Sequence, residues 1–235
     1  MTAGAVVITG AAGDLGRALT RSFLDQGRRV HGADLKPCPV AGVIDHRLDV
    51  TERDAVFALA RRVAAEDGLA AWVNAAGLLA MTPVREASEA DWQRLLAVNL
   101  SGTWHGCAAA LESMIAAGSG GVIVNLGSLS GQLGYPGLHP AYGASKAAVH
   151  QLTKTYALEG ARHGVRVNAV APSVLEGSMG DAFSNDQRAR LIRANPLGRL
   201  GTMEDAVGAI AFLCSPQAAY ITGATLPVNG GSFMP

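Results

Sequence analysis

A chain of 235 residues that is 49% apolar and only 5% aromatic can bury a core without disulfides or a structural metal. Its 19 basic and 19 acidic side chains cancel and no basic run appears, which argues against a nucleic-acid or anionic-membrane partner. Cys38, Cys107 and Cys214 form no CxxC pair, and the six histidines show no metal-ligand spacing, so a reducing compartment and no metal are expected.

Met1 leads within five residues into the apolar Ala5-Val6-Val7-Ile8-Thr9, which leaves no room for a secretion leader. No apolar stretch reaches a membrane-spanning length, and the expected place is the cytoplasm. Residues 6–9 read as a strand, 15–26 as a helix, 29–33 as a second strand and 43–48 as a third. Thr51, with Asp54 three residues on, is expected to cap a helix reaching about Glu66. A short buried strand follows at 71–74. Ser88 and Asp91 then mark the start of one long helix toward Ala116. Residues 122–126 form another strand, 131–139 a glycine-rich loop, and Pro140 opens a helix to about Arg162. The last strands are 165–171 and 224–228, with helical segments between them. Apolar strands alternating with helices predict a doubly wound parallel sheet covered on both faces, in one domain spanning 1–235.

Three local patterns carry chemistry. The turn Thr9-Gly10-Ala11-Ala12-Gly13-Asp14-Leu15-Gly16 joins a strand to a helix, where glycines let the backbone approach a pyrophosphate held by helix N-terminal N–H groups. Asp34 ends the second strand, 24 positions beyond Gly10, close to the roughly 20-residue spacing of a carboxylate that binds an adenosine ribose. Such a group repels a 2′-phosphate, so NAD is expected over NADP, with Lys36 nearby to soften the preference. Tyr142-Gly143-Ala144-Ser145-Lys146 places a phenol and an ammonium one helical turn apart. A phenol titrates near pH ~10, so acid–base work near neutrality needs roughly 4 kcal/mol of help, which a cation supplies.

Together with Asp49-Val50, Asn74-Ala75-Ala76-Gly77, Asn99, residues 125–128 and 167–172, these segments resemble the short-chain dehydrogenase/reductase family along essentially the whole chain. Pro196-Leu197-Gly198-Arg199, Ile221-Thr222-Gly223 and Val228-Asn229-Gly230-Gly231 resemble its C-terminal signatures. The resemblance implies a Rossmann-like doubly wound sheet of about seven strands. It implies Tyr142 as general acid/base, Ser128 as the partner of the substrate oxygen, and Lys146 on the nicotinamide ribose. Asn99 would bend the long helix and hold a water in a proton path from Lys146. Gly10, Gly13, Asp14, Leu15 and Gly16 would border the pyrophosphate, Asp49 and Val50 the adenine. Asn74, Ala75, Ala76 and Gly77 would pass near the cofactor, and Pro172 would meet the nicotinamide. Asn168 is expected to tie strands together.

Three positions depart from the family pattern. Asp14 replaces the middle glycine of the phosphate turn and is expected to cap the following helix. Ser173 follows Pro172 where glycine is usual, and Gly177 stands where a threonine would contact the carboxamide. Leu133, Tyr135, Leu138 and His139 would border an apolar substrate cleft, and residues 177–194 would close over it. The expected activity is NAD(H)-dependent interconversion of a small or cyclic secondary alcohol and its ketone. Alternatives are a 3-oxoacyl-thioester reductase, acting on carrier-protein or coenzyme A thioesters, and a non-catalytic dinucleotide sensor. The resemblance also implies a homotetramer built on the two long helices.

Overall fold

The computed structural model describes residues 4–234, so the expectation about a leader, which turns on Met1 and its neighbours, lies outside the described residues. β1 (Ala5–Thr9), β2 (Val30–Asp34), β3 (Ile44–Arg47), β4 (Leu69–Asn74), β5 (Gly121–Leu126), β6 (Val165–Pro172) and β7 (Thr225–Val228) form one sheet in the order β3-β2-β1-β4-β5-β6-β7. Every neighbouring pair is parallel. Successive crossovers wind outward in opposite directions from β1 and β4, which leaves a crevice above their C-terminal ends.

Helices cover both faces. On one, Leu19 and Phe23 of α1 (Asp14–Asp25) and Ile210 and Leu213 of α7 (Met203–Leu213) pack on Val6, Ile8, Val73 and Val124. On the other, α2 (Arg53–Glu66), α4 (Thr103–Ala117) and α5 (Pro140–Ala161) cover Val7, Trp72, Ile123 and Val167. Val6, Val7 and Ile8 are all fully buried because the two faces of β1 are both inside, which is why the strand reads as a continuous apolar run.

The sheet centre holds a buried polar chain. Trp72 Nε1 donates to Asn74 Oδ1 (2.7 Å), Asn74 Nδ2 to Asn125 Oδ1 (2.9 Å) and Asn125 Nδ2 to Thr153 Oγ1 (3.0 Å). Asn168 stitches β6 to the approach of β7, accepting from Ala224 N–H and donating to the Ile221 carbonyl, as expected of it.

The helix starting at the Ser88 cap runs unbroken to Ala117 and widens into a π turn at Ala97–Gly102, between α3 (Glu89–Leu96) and α4. Two local expectations are corrected. Thr51 caps nothing, since α2 begins after Glu52, and both its N–H and hydroxyl donate to Asp49 Oδ1 (2.9 and 2.8 Å). Asp14 is not a cap either. Gly13 holds that place, and Asp14 is already helical, its carboxylate turned away from the first-turn N–H groups. Among the described residues, no helix is long and apolar enough to cross a membrane.

Candidate active site

A cleft of about 750 Å³ opens over the C-terminal ends of the strands. Its floor begins at the glycine-rich turn. Gly10 sits at φ +71°, and a Cβ there would lie 2.7 Å from the backbone of Ala76. At Gly16 a Cβ would stand 2.1 Å from the Gly10 carbonyl, so α1 could not approach the turn. The two glycines therefore bring the start of α1, which no side chain caps, onto the cleft beside Gly13 and Leu15. An uncapped helix N-terminus with close backbone access suits a pyrophosphate.

Asp34 stands at one end of the cleft. Its Oδ2 accepts from Ala12 N–H (3.1 Å) and its Oδ1 from Lys36 N–H (3.1 Å), so two backbone bonds fix the carboxylate at the mouth of β2. Asp49, Val50 and Val98 line the same end. These residues and the phosphate turn fit the adenosine half of a dinucleotide.

The other end carries the acid–base groups. Ser128 follows β5 and lines the cleft together with Tyr142, which the first turn of α5 aims into it. Ser128 Oγ accepts from Ser130 N–H (3.1 Å), which orients it. Lys146, one turn further along α5, is 3% exposed and donates from Nζ to the Leu126 carbonyl (2.7 Å). Nζ lies 5.9 Å from the centre of the Tyr142 ring. Burial pulls Lys146 down to about 8 and pushes Tyr142 above its ordinary value, with the nearby Ser128 hydroxyl pulling the latter the other way. The protein alone thus keeps the phenol protonated. A cation at Lys146 works the other way, through Coulomb attraction to the phenolate.

Asn99 lies in the π turn behind Gly77. Its Oδ1 accepts from Leu78 N–H (2.7 Å) and its Nδ2 donates to the Leu78 carbonyl (2.9 Å). A Cβ on Gly77 would fall 3.5 Å from Asn99 Oδ1 and 3.7 Å from Lys146 Nζ, so both groups lie close behind that cleft-lining glycine. A π turn widens the helix where a side chain must leave the regular hydrogen-bond ladder, and such turns gather at functional sites.

The cleft thus gathers most of the residues singled out in the sequence. Gly10, Gly13, Asp14, Leu15, Gly16, Asp34, Asp49, Val50, Ala75, Ala76, Gly77, Ser128, Tyr135, Tyr142 and Pro172 all line it. Asn74 does not, because its amide serves Trp72 and Asn125 inside the sheet. His139 is also corrected: it is fully buried and caps α5, Nδ1 accepting from Ala141 N–H (3.2 Å), and borders no part of the cleft. Residues that the sequence reading missed include Arg94, Phe183, Leu191 and Met203. Arg94 lies on α3 one turn before Val98, and no local pattern marks either residue. Phe183 meets Tyr135 edge-on at 5.9 Å, a contact between distant segments that no local pattern announces.

A doubly wound sheet whose crevice holds a glycine-rich helix start, a carboxylate at the end of β2 and a Ser–Tyr pair backed by a buried lysine is the architecture of a dinucleotide-binding oxidoreductase. Known proteins agree with that class. A family model described as enoyl-(acyl carrier protein) reductase matches residues 10–232, and the chain belongs to the short-chain dehydrogenase/reductase family. It is 38% identical to 3beta-hydroxysteroid dehydrogenase 1 of Eggerthella lenta, with 96% of this chain and 92% of that protein covered. Identity to the 3-oxoacyl-[acyl-carrier-protein] reductase FabG of Vibrio harveyi is 34%, covering 97% and 96%. The structure of ElxO with NADP bound superposes with a TM-score of 0.89 at 28% identity, covering 98% of each chain.

Proposed function

We propose that this chain is an NAD(H)-dependent oxidoreductase that interconverts a small or cyclic secondary alcohol and its ketone. The observation that carries the reading is the pairing of Ser128 and Tyr142 in a cleft that also holds Asp34, with Lys146 buried one helical turn behind Tyr142. When bound there, the dinucleotide supplies a hydride donor or acceptor at its nicotinamide. Tyr142 passes the proton between its hydroxyl and the substrate oxygen, and Ser128 donates a hydrogen bond to that oxygen as charge develops. Lys146 binds ribose hydroxyls and favours the phenolate. Asn99, its side chain fixed on Leu78, holds the widened turn beside Lys146 and lets a water reach it.

NAD is favoured over NADP because the Asp34 carboxylate faces the place of a 2′-phosphate. The NADP bound to ElxO is that protein's own ligand, and NADP is the alternative this choice must beat. Beyond Tyr142 the walls come from Leu79, Leu133, Leu138, Met179, Phe183 and Leu191, which suits a compact apolar alcohol. Residues 177–194 form the closing segment. Free, buried cysteines fit a cytoplasmic setting, and the apolar outer faces of α4 and α5 fit self-association as a homotetramer.

The test is reduction of NAD+ and NADP+ over a panel of secondary alcohols, with Tyr142→Phe as comparison. The variant should lose about 10²–10⁴ in kcat while holding NADH within about twofold of the wild type. Retained turnover would end the mechanism, and a preference for NADP+ would end the cofactor assignment. The similarity to FabG favours a second reading, reduction of a 3-oxoacyl thioester. Turnover of an acetoacetyl thioester that exceeds every alcohol in the panel would select it.

A further inference from the structure

The two departures from the family pattern at Asp14 and Gly177 lie against each other beside the cleft. Asp14 Oδ2 accepts from the Ser178 N–H at 2.8 Å and from the Ser178 hydroxyl at 2.6 Å. Its other oxygen pairs with Arg17, whose guanidinium is also held by the Ala12 carbonyl (2.9 Å). Gly177 has φ +121°, and a Cβ there would lie 3.0 Å from Asp14 Oδ2 and 2.9 Å from Met203 Cε. A threonine at that position would collide with the carboxylate. The acid in the phosphate turn and the glycine in the loop after β6 are therefore one arrangement, since the glycine leaves the room that the carboxylate occupies.

The loop needs such an anchor. Its stem is fixed, with Glu176 N–H donating to the Gly201 carbonyl (2.8 Å) and Gly201 N–H to that of Val174 (3.2 Å). Past the stem, hydrogen bonds run within the loop or to α6 (Asn185–Ala194): Asp181 N–H to the Gly177 carbonyl, Phe183 N–H to that of Gly180, and Arg188 to Asp181. The bonds from Ser178 to Asp14 are what join this span to the glycine-rich turn. Ser178, Met179, Gly180 and Phe183 all line the cleft, so their position sets how open it is.

We propose that Asp14 is a positioning residue that ties the loop at 177–183 down over the cleft before any coenzyme is bound. Arg17 and Ser178 together occupy both carboxylate oxygens, which turns the negative charge aside from the pyrophosphate place. The anchoring itself stands independently of the proposed function. Its consequence, slower exchange of coenzyme, rests on that reading.

The experiment is amide hydrogen exchange of the coenzyme-free protein, followed in peptides covering 174–183, with a β4 peptide as the folding control. Asp14→Ala should speed exchange in the loop by about tenfold or more and leave β4 unchanged. Asp14→Asn, which keeps an acceptor for both Ser178 donors, should stay near wild type. Ser178→Ala keeps the backbone donor and should fall between, and the Asp14→Ala/Ser178→Ala double variant should exchange no faster than Asp14→Ala. Unchanged loop exchange in Asp14→Ala, or multiplying effects in the double variant, overturns the anchor. NADH release is then timed by fluorescence and should quicken in Asp14→Ala. Tighter NADH binding with unchanged exchange would show that Asp14 only repels the pyrophosphate. A wild type that binds neither NADH nor NADPH would instead sink the functional reading, while the exchange result still decides the anchor.

Discussion

His150 lies beneath the end of β5, where its Nε2 accepts from the Ser128 N–H (3.4 Å) and a Cβ on Gly127 would fall 2.3 Å from it. Burial and the nearby Lys146 and Lys154 pull its pKa down to about 4 from 6.5. The folded chain therefore binds fewer protons than the unfolded chain between those values, and stability must fall as the pH drops through that window. His31 and His46, lowered first of all by burial, push the same way. His150→Gln should flatten part of the decline in urea midpoint between about pH 6.5 and pH 4. An unaltered slope would remove His150 from the account. In sequence this histidine is one of six without a metal pattern. Nothing local says that its ring supports the strand end carrying Ser128.

At the scale of elements, α4 crosses the sheet as closely as it does because Gly106 has no side chain. A Cβ there would stand 2.0 Å from Asn74 Oδ1 and 2.7 Å from Trp72 Nε1. Gly208 in α7 is also mid-helix but meets nothing within 4 Å. Gly106→Ala should lower stability by about 1–3 kcal/mol through forced displacement of α4 and the buried amides. Gly208→Ala should raise it by up to about 1 kcal/mol, the ordinary difference in helix propensity. Urea melts of the two variants check the contrast, and equal effects would refute the close approach. The π turn belongs to this scale too. The sequence expects a bend at Asn99, but the widened turn and its bonds to Leu78, 21 positions away, are set only in the fold. Likewise, Thr51 has the spacing of a helix cap, yet the nearer Asp49 carboxylate takes its donors.

At the scale of the molecule, the outer side of α4 and α5 exposes Trp104 (45%) and Leu158 (82%) beside a shallow groove of Leu111, Ile115 and Tyr156. On the proposed homotetramer these side chains are covered by a second copy. Leu158→Glu should then lower the mass measured by light scattering to that of a smaller assembly. A wild type that is monomeric at micromolar concentration would rule the assembly out.

Strand and helix order, the parallel sheet and the gathering of Asp34, Ser128 and Tyr142 in one cleft were readable from residues alone. Buried parallel strands must be apolar on both sides, and a tight phosphate turn must be glycine-rich, so near neighbours record both. The fate of Asp14, the burial of His139 and the inward turn of Asn74 were decided only by folding. Each depends on a partner brought in from elsewhere. Ser178 reaches Asp14 from 164 positions away, and Asn125 reaches Asn74 from 51. A side chain's local spacing says which bonds it could make, and packing selects among them by placing one partner within about 3 Å.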